Sequence, residues 1–296
     1  MTNKTVVAWN ATPEAEAALH WATARESQRR GTIALVFIVE DRSDVQQQNE
    51  ASAAIRDAAA RTRAAAPGCT VTTTIGYGEP RDVLVEYTNE DWVLAVGARA
   101  RTTARPRATG STASRLAAAS RGTVAVVPGS STATGRDVLV GVDGSREAES
   151  AAEFAANEAE RLAADLVLVH AWNEPALMEG QPSVDRRFLD ALSDESTHLL
   201  SAARTDLLTR HPGLSIGIRS LHGEPDRALL HASLAAQELI VGSRGLRGLR
   251  RVLLGSVSRN LVERAGCPIV VVGAQPQPFS LQVREDVARA LAEQDR

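Results

Sequence analysis

Apolar residues recur along this chain in two rhythms. Short stretches at residues 137–142, 166–171, 214–221, 238–241 and 268–272 predict strands, the first a near-continuous apolar run of the kind buried on both faces. Between them, residues 146–162, about 188–208, a short stretch from 226, and 256–265 carry the spacing of helices. Ser145 stands where a helix N-cap belongs, and Thr12-Pro13 opens a helix in the same way near the start of the chain. Strands separated by helices require a parallel sheet with right-handed crossovers.

The same pattern is written twice. Val138-Leu-Val-Gly-Val-Asp143-Gly-Ser echoes Thr5-Val-Val-Ala-Trp-Asn10-Ala-Thr at an offset of 133, and residues 166–171 echo 33–38 at the same offset. Gly223-Glu-Pro225 repeats Gly78-Glu-Pro80 at 145, as Gly255-Ser256 repeats Gly110-Ser111. The change of offset places 12 extra residues in the second copy, with 176–187 the expected loop. The division that follows is a first unit at 1–129, a small polar linker of the flexible kind at 130–135, a second unit at 136–273, and a tail at 274–296. The tail sets Val283, Val287, Ala288, Leu291 and Ala292 at helical spacing, which predicts a helix packed on the body. The predicted fold class is α/β, two doubly wound five-stranded parallel-sheet domains related by internal duplication.

Composition removes several functions. Lys+Arg 33 against Asp+Glu 36 leaves a net charge of −3, so no global field draws nucleic acid or anionic lipid. No apolar run approaches the ~20 residues of a membrane span, and the first residues show no export signal, so a cytoplasmic location is expected. Lys4 is the only lysine, which excludes a P-loop and a protein-kinase site. The six histidines and two cysteines lack zinc-ligand spacing, so no metal site is expected. Cys267, beside a proline and a core strand, reads as a buried, inert thiol.

The chemistry-bearing segment is Gly242-Ser-Arg244-Gly245, followed nine residues later by Gly255-Ser256-Val257-Ser258. It leaves a buried strand and opens a helix, where ligands of open α/β sheets bind. Glycine admits close backbone approach, and a helix start presents unpaired N–H groups to an anion. Four arginines, at 244, 247, 250 and 251, add charge. Taken singly, each glycine serves helix packing as readily as ligand contact, and the lesser alternative for Asp143 is to satisfy backbone N–H groups ahead of the next helix.

The spacing G-2x-G-9x-G-S resembles the nucleotide motif of the ATP-binding universal stress proteins. Val142-Asp143-Gly144-Ser145 and Cys267-Pro268-Ile-Val-Val-Val272 resemble that family as well. The whole chain looks like a tandem universal stress protein of the bacterial type, with the adenine nucleotide alpha hydrolase-like architecture. The resemblance implies ATP as cofactor, with ADP or AMP as alternatives and magnesium optional. It implies Asp143 on the nucleoside side, the Ala171 backbone at the adenine edge, Gly242, Gly245 and Gly255 along the ribose and phosphates, and Ser256 and Val257 donating to phosphate. Arg244 would supply charge and Ser258 a weaker contact. In the first copy the matching positions are Asn10, Gly97, Gly110, Ser111 and Thr112, but Ala100 replaces the second glycine and Asn10 the aspartate. That copy is expected to bind more weakly.

The implied function is a nucleotide-binding regulator of a bacterial stress response. The alternatives are a weak ATPase or self-phosphorylating enzyme, and a scaffold that binds no nucleotide. The last strand of each copy, 124–127 and 269–272, would be an open apolar edge. The resemblance implies pairing through it, within the chain or in a homodimer. No catalytic residue is readable.

Overall fold

The computed structural model describes residues 4–88, 92–99, 112–120, 122–131, 134–174, 185–244 and 254–273. The first copy runs β1 (Lys4–Ala8), α1 (Pro13–Ser27), β2 (Thr32–Val39), α2 (Val45–Ala65), β3 (Thr70–Tyr77), α3 (Pro80–Val85), β4 (Val93–Ala98), α4 (Thr112–Ala119) and β5 (Thr123–Pro128). The second repeats it as β6 (Asp137–Gly141), α5 (Arg146–Leu162), β7 (Leu166–Trp172), α6 (Arg186–Arg210), β8 (Ile216–His222), α7 (Pro225–Ser233), β9 (Ala236–Gly242), α8 (Ser256–Arg264) and β10 (Ile269–Val272). The tail expected to be helical lies outside the described residues.

Among the described residues the strands form one ten-stranded sheet in the order β3-β2-β1-β4-β5-β10-β9-β6-β7-β8. Every neighbouring pair is parallel except β5 and β10, which run antiparallel with Ile269 opposite Val126 and Val271 opposite Val124. The two apolar last strands therefore cover each other within the chain, and every residue of both is buried. The sheet's outer strands expose polar side chains instead, with Thr70, Thr72, Thr73 and Thr74 open on β3, a common way to blunt a free edge.

One apolar layer joins the sheet to α1, α2, α5 and α6, and the other joins it to α3, α4, α7 and α8. Alanine sets how closely these helices approach. On α5 the buried positions Ala148, Ala151, Ala152, Ala155, Ala156 and Ala159 form one small-residue face at helical spacing. That face brings the backbone of α5 against β9, and in the first copy the buried Ala15, Ala18 and Ala22 of α1 bring that helix against β4. A Cβ on Gly97 would fall 2.2 Å from the Glu14 carbonyl carbon, and one on Gly242 would fall 2.8 Å from that of Glu147.

Three expectations need correction. The strand predicted from residue 238 begins at Ala236, because Glu238 is buried inside it rather than marking its edge. The last residues of the predicted loop are already helical: Asp185 caps α6, its carboxylate accepting the Arg187 N–H at 3.3 Å. The described part of the linker is tied down, not free. Thr134 N–H donates to the Leu234 carbonyl, and a Cβ on Gly135 would sit 1.8 Å from the Ala235 oxygen.

His211 closes α6 against α5. It is 5% exposed, with Nδ1 2.8 Å from Glu160 and Nε2 3.2 Å from Glu153. Burial opposes its charging, but the two carboxylates outweigh burial and hold its pKa above the usual histidine value. Its contribution to stability is therefore complete below the unfolded value of 6.5 and is lost as pH rises through the raised folded value.

Candidate functional site

The sheet order reverses direction between β9 and β6, because the chain leaves β6 outward toward β7 while β9 lies on the inner side. Val140 pairs with Ile240. Asp143 and Ser243 thus each lie three residues past a paired register, on neighbouring strand ends, where an open α/β sheet forms its crevice.

The β6 end turns sharply. Gly144 has φ +79°, and Asp143 Oδ1 accepts both the Ser145 N–H at 3.0 Å and the Ser145 hydroxyl at 2.6 Å. Ser145 Oγ in turn accepts the Ala148 N–H at 3.2 Å and caps α5. The first copy builds the same turn with other residues. Asn10 Oδ1 accepts the Thr12 hydroxyl at 2.7 Å, Thr12 caps α1, and Ala11 takes φ +59°. An alanine in that left-handed region costs about 1 kcal/mol or more, so the first copy holds strain where the second has glycine. Part of Asp143's role is therefore to organise the turn.

At the β9 end, the Ser243 carbonyl accepts the Gly255 N–H at 2.8 Å, and Ser258 Oγ donates to the Gly242 carbonyl at 2.8 Å. These bonds pin the exit and return of the loop together, with Leu254 buried beneath at 1% exposure. The Ser258 hydroxyl is thereby engaged with the scaffold. Arg244 Nε lies 3.5 Å from Glu147, as Arg99 Nε lies 3.1 Å from Glu14 in the first copy, so both arginines lean on the first turn of the preceding helix.

Gly255 differs from Gly242. It is the N-cap of α8 at φ −67°, and no side chain caps the helix. A Cβ there would meet nothing closer than 3.6 Å. Neither backbone conformation nor packing requires glycine at this position. Ser256 is exposed and Val257 half-buried beside the uncapped N–H groups, which carry the positive end of the helix dipole.

Ala171, half-buried near the end of β7, pairs with Leu221 of β8. Beside it is a chain that the sequence reading passed over. His170 Nδ1 lies 2.9 Å from Ser196 Oγ, Ser220 Oγ donates to Ser196 Oγ at 2.7 Å, and the Trp172 indole donates to Ser220 at 2.8 Å. Burial lowers the His170 pKa against the pull of Asp143 and Glu195, so its ring is neutral near pH 7. Its repeat-equivalent is Phe37, packed edge-on against Trp9 with ring centroids 6.2 Å apart. Thr112 is exposed at the start of α4. Gly245, Gly110, Ser111 and Ala100 lie outside the described residues. Cys267 is buried, and burial, reinforced by Glu238, pushes its thiol up to about 12, which makes it unreactive.

A model of the universal stress protein family matches residues 1–128 and again residues 135–273. A universal stress protein of Mycobacterium tuberculosis, strain H37Rv, is 32% identical over 200 residues, 66% of this chain and 66% of that relative. That match spans about two thirds of the relative's own length. A universal stress protein from Archaeoglobus fulgidus, known from its crystal structure, shares the fold with a TM-score of 0.68 at 18% identity, covering 93% of this chain and 99% of the other. A universal stress protein solved in complex with cAMP is 26% identical over 47% of this chain and 98% of that one, with a TM-score of 0.37.

Proposed function

The chain belongs to the universal stress protein family, with one domain in each half, and from that premise we propose that its second copy binds an adenine nucleotide, ATP foremost, as a cytoplasmic regulator of a bacterial stress response. The observation that carries this reading is the start of α8. Gly255 is a glycine that the protein's own contacts do not require. It leaves space for a phosphate to reach N–H groups that no side chain caps.

In this reading Ser256 and Val257 donate backbone N–H groups to phosphate oxygens, and the Ser256 hydroxyl adds a third donor. Gly245 is assigned to the phosphates by its place in the motif alone. Asp143 faces the nucleoside, with its Oδ1 already held by Ser145, and the Ala171 backbone reads the adenine edge. Gly242 and Ser258 support the loop. Arg244 adds positive charge beside Glu147, so magnesium is not strictly needed. The first copy, with Asn10, Ala100 and a strained Ala11, serves mainly as the docking partner of the second.

Ser256→Asp tests the assignment while sparing the fold. A carboxylate in the first turn favours the helix dipole by about 0.3–1 kcal/mol but repels phosphate. The variant should melt no lower than wild type, while its ATP affinity falls about tenfold or more, equivalent to ~1.4 kcal/mol. Mass spectrometry should find adenine nucleotide co-purifying with wild type and depleted from the variant. Equal nucleotide in both proteins would remove α8 from the site.

A further inference from the structure

The seam between the two copies holds a charged cluster that shares no residue with the proposed nucleotide site. Arg25 of α1, 4% exposed, bonds Glu26 through Nη1 and reaches Glu158 of α5 through Nη2 at 2.8 Å. Arg161 donates from Nε to Glu158 Oε2 at 2.9 Å and from Nη1 to the Arg25 carbonyl at 3.0 Å. Glu238 of β9 enters the same layer at 1% exposure. Its Oε2 accepts the indole N–H of Trp21, from the other copy, at 3.1 Å, and its Oε1 is buried without a hydrogen-bond partner. The matching position in the first copy is Val93, so the acid is one-sided.

Charge balance identifies the odd member. Among the described residues, three buried carboxyls, Glu26, Glu158 and Glu238, face two guanidiniums, Arg25 and Arg161. A buried cluster of this kind reaches neutrality with one proton, since an unpaired charge away from water is costly. Both arginines bond Glu26 or Glu158, which leaves Glu238 with an indole. We propose that Glu238 carries that proton in the docked protein and that losing it weakens the joint between the two copies, making the seam a proton-sensitive device.

The surroundings agree on direction. Burial, reinforced by Glu158, pushes the Glu238 carboxyl up to about 7, against the opposing pull of Arg161, the Trp21 indole and Arg25. The facing groups are Trp21, Arg25 and Glu26 from α1, Glu158 and Arg161 from α5, and Cys267 ahead of β10. The Cys267 thiol stays neutral because its pKa is pushed up to about 12. A carboxyl whose folded value lies above its ordinary 4.5 keeps its proton longer in the folded state. The contribution of this carboxyl to stability then falls as pH rises from about 4.5 to about 7 and levels off above that. His211 adds a separate loss that begins only above 6.5.

The test uses the full-length protein labelled with ¹⁵N in its tryptophans, with the Trp21 indole resonance assigned through Trp21→Phe. That resonance should titrate with a midpoint near 7 in wild type and stay still in Glu238→Gln. Across the window below 6.5 the urea midpoint of wild type should decline relative to that of Glu238→Gln, because His170 and the other titrating groups act alike in both proteins. A Trp21 resonance that stays fixed from roughly pH 5 to 9 in wild type would overturn the proposal, even if Glu238→Gln failed to fold. So would equal titration, or equal stability slopes, in the two proteins.

Discussion

Arg25→Ala is expected to lower folding stability by about 3–5 kcal/mol. Arg25 bonds Glu26, Glu158 and the Thr5 hydroxyl, and it lies over the Phe154 ring at 5.9 Å. Its removal strands Glu26 at 2% exposure with no cation in place of Arg25, and an unpaired buried charge costs far more than the pair gained by forming. Arg161→Ala should cost less, because Glu158 keeps its bond to Arg25. Urea unfolding of the three proteins at one pH checks the ordering. An Arg25→Ala protein within about 1 kcal/mol of wild type would show that the cluster does little to hold the copies together.

The glycines give the second large effect. Gly97→Ala would place a methyl 2.2 Å from the Glu14 carbonyl carbon and should cost about 1–3 kcal/mol or more. The helix must retreat from the sheet, and the alanine face that allows the approach loses its contact. Gly242→Ala, at 2.8 Å from the Glu147 carbonyl carbon, should follow in the same direction but less severely. Gly255→Ala should cost only the lost preference for glycine at a helix N-cap, about 0.5–1 kcal/mol, since its nearest neighbour is 3.6 Å away, yet weaken nucleotide binding. Thermal melts with parallel ATP titrations separate the two classes. A Gly255→Ala protein destabilised beyond that, with intact binding, would place this glycine among the packing ones.

Much of the architecture could be read from periodicity because both copies obey it. The buried strands are apolar runs, and α5 was predicted to span residues 146–162, its observed span. The misses have physical causes. Glu238 looked like a strand boundary because a carboxylate rarely sits inside a buried strand unless neutralised, and its partner Trp21 is 217 residues away. Ala11 gave no sign of its left-handed backbone, since alanine disfavours it. Only its alignment with Gly144 hinted at the turn. The candidate site was read from the sequence as a spaced set of glycines, and the structure divides that set. Helix approach accounts for Gly97 and Gly242, and Gly255 alone among the described motif glycines remains free of a packing role. The seam left a trace: Arg25 and Glu158 occupy equivalent positions, 133 residues apart, and meet at 2.8 Å. An internal duplication pairing through its last strands brings equivalent positions of α1 and α5 together. An arginine matched with a glutamate at such a position is therefore a readable sign of docking.

The most direct test of the central claim, that the α8 start in the second copy holds the phosphates of an adenine nucleotide, is titration calorimetry with AMP, ADP and ATP. The expected result is one tight site per chain with affinity rising at each added phosphate, because every phosphate oxygen gained meets helix N–H groups and positive charge. Equal affinity for the three nucleotides, or two equal sites per chain, would contradict it.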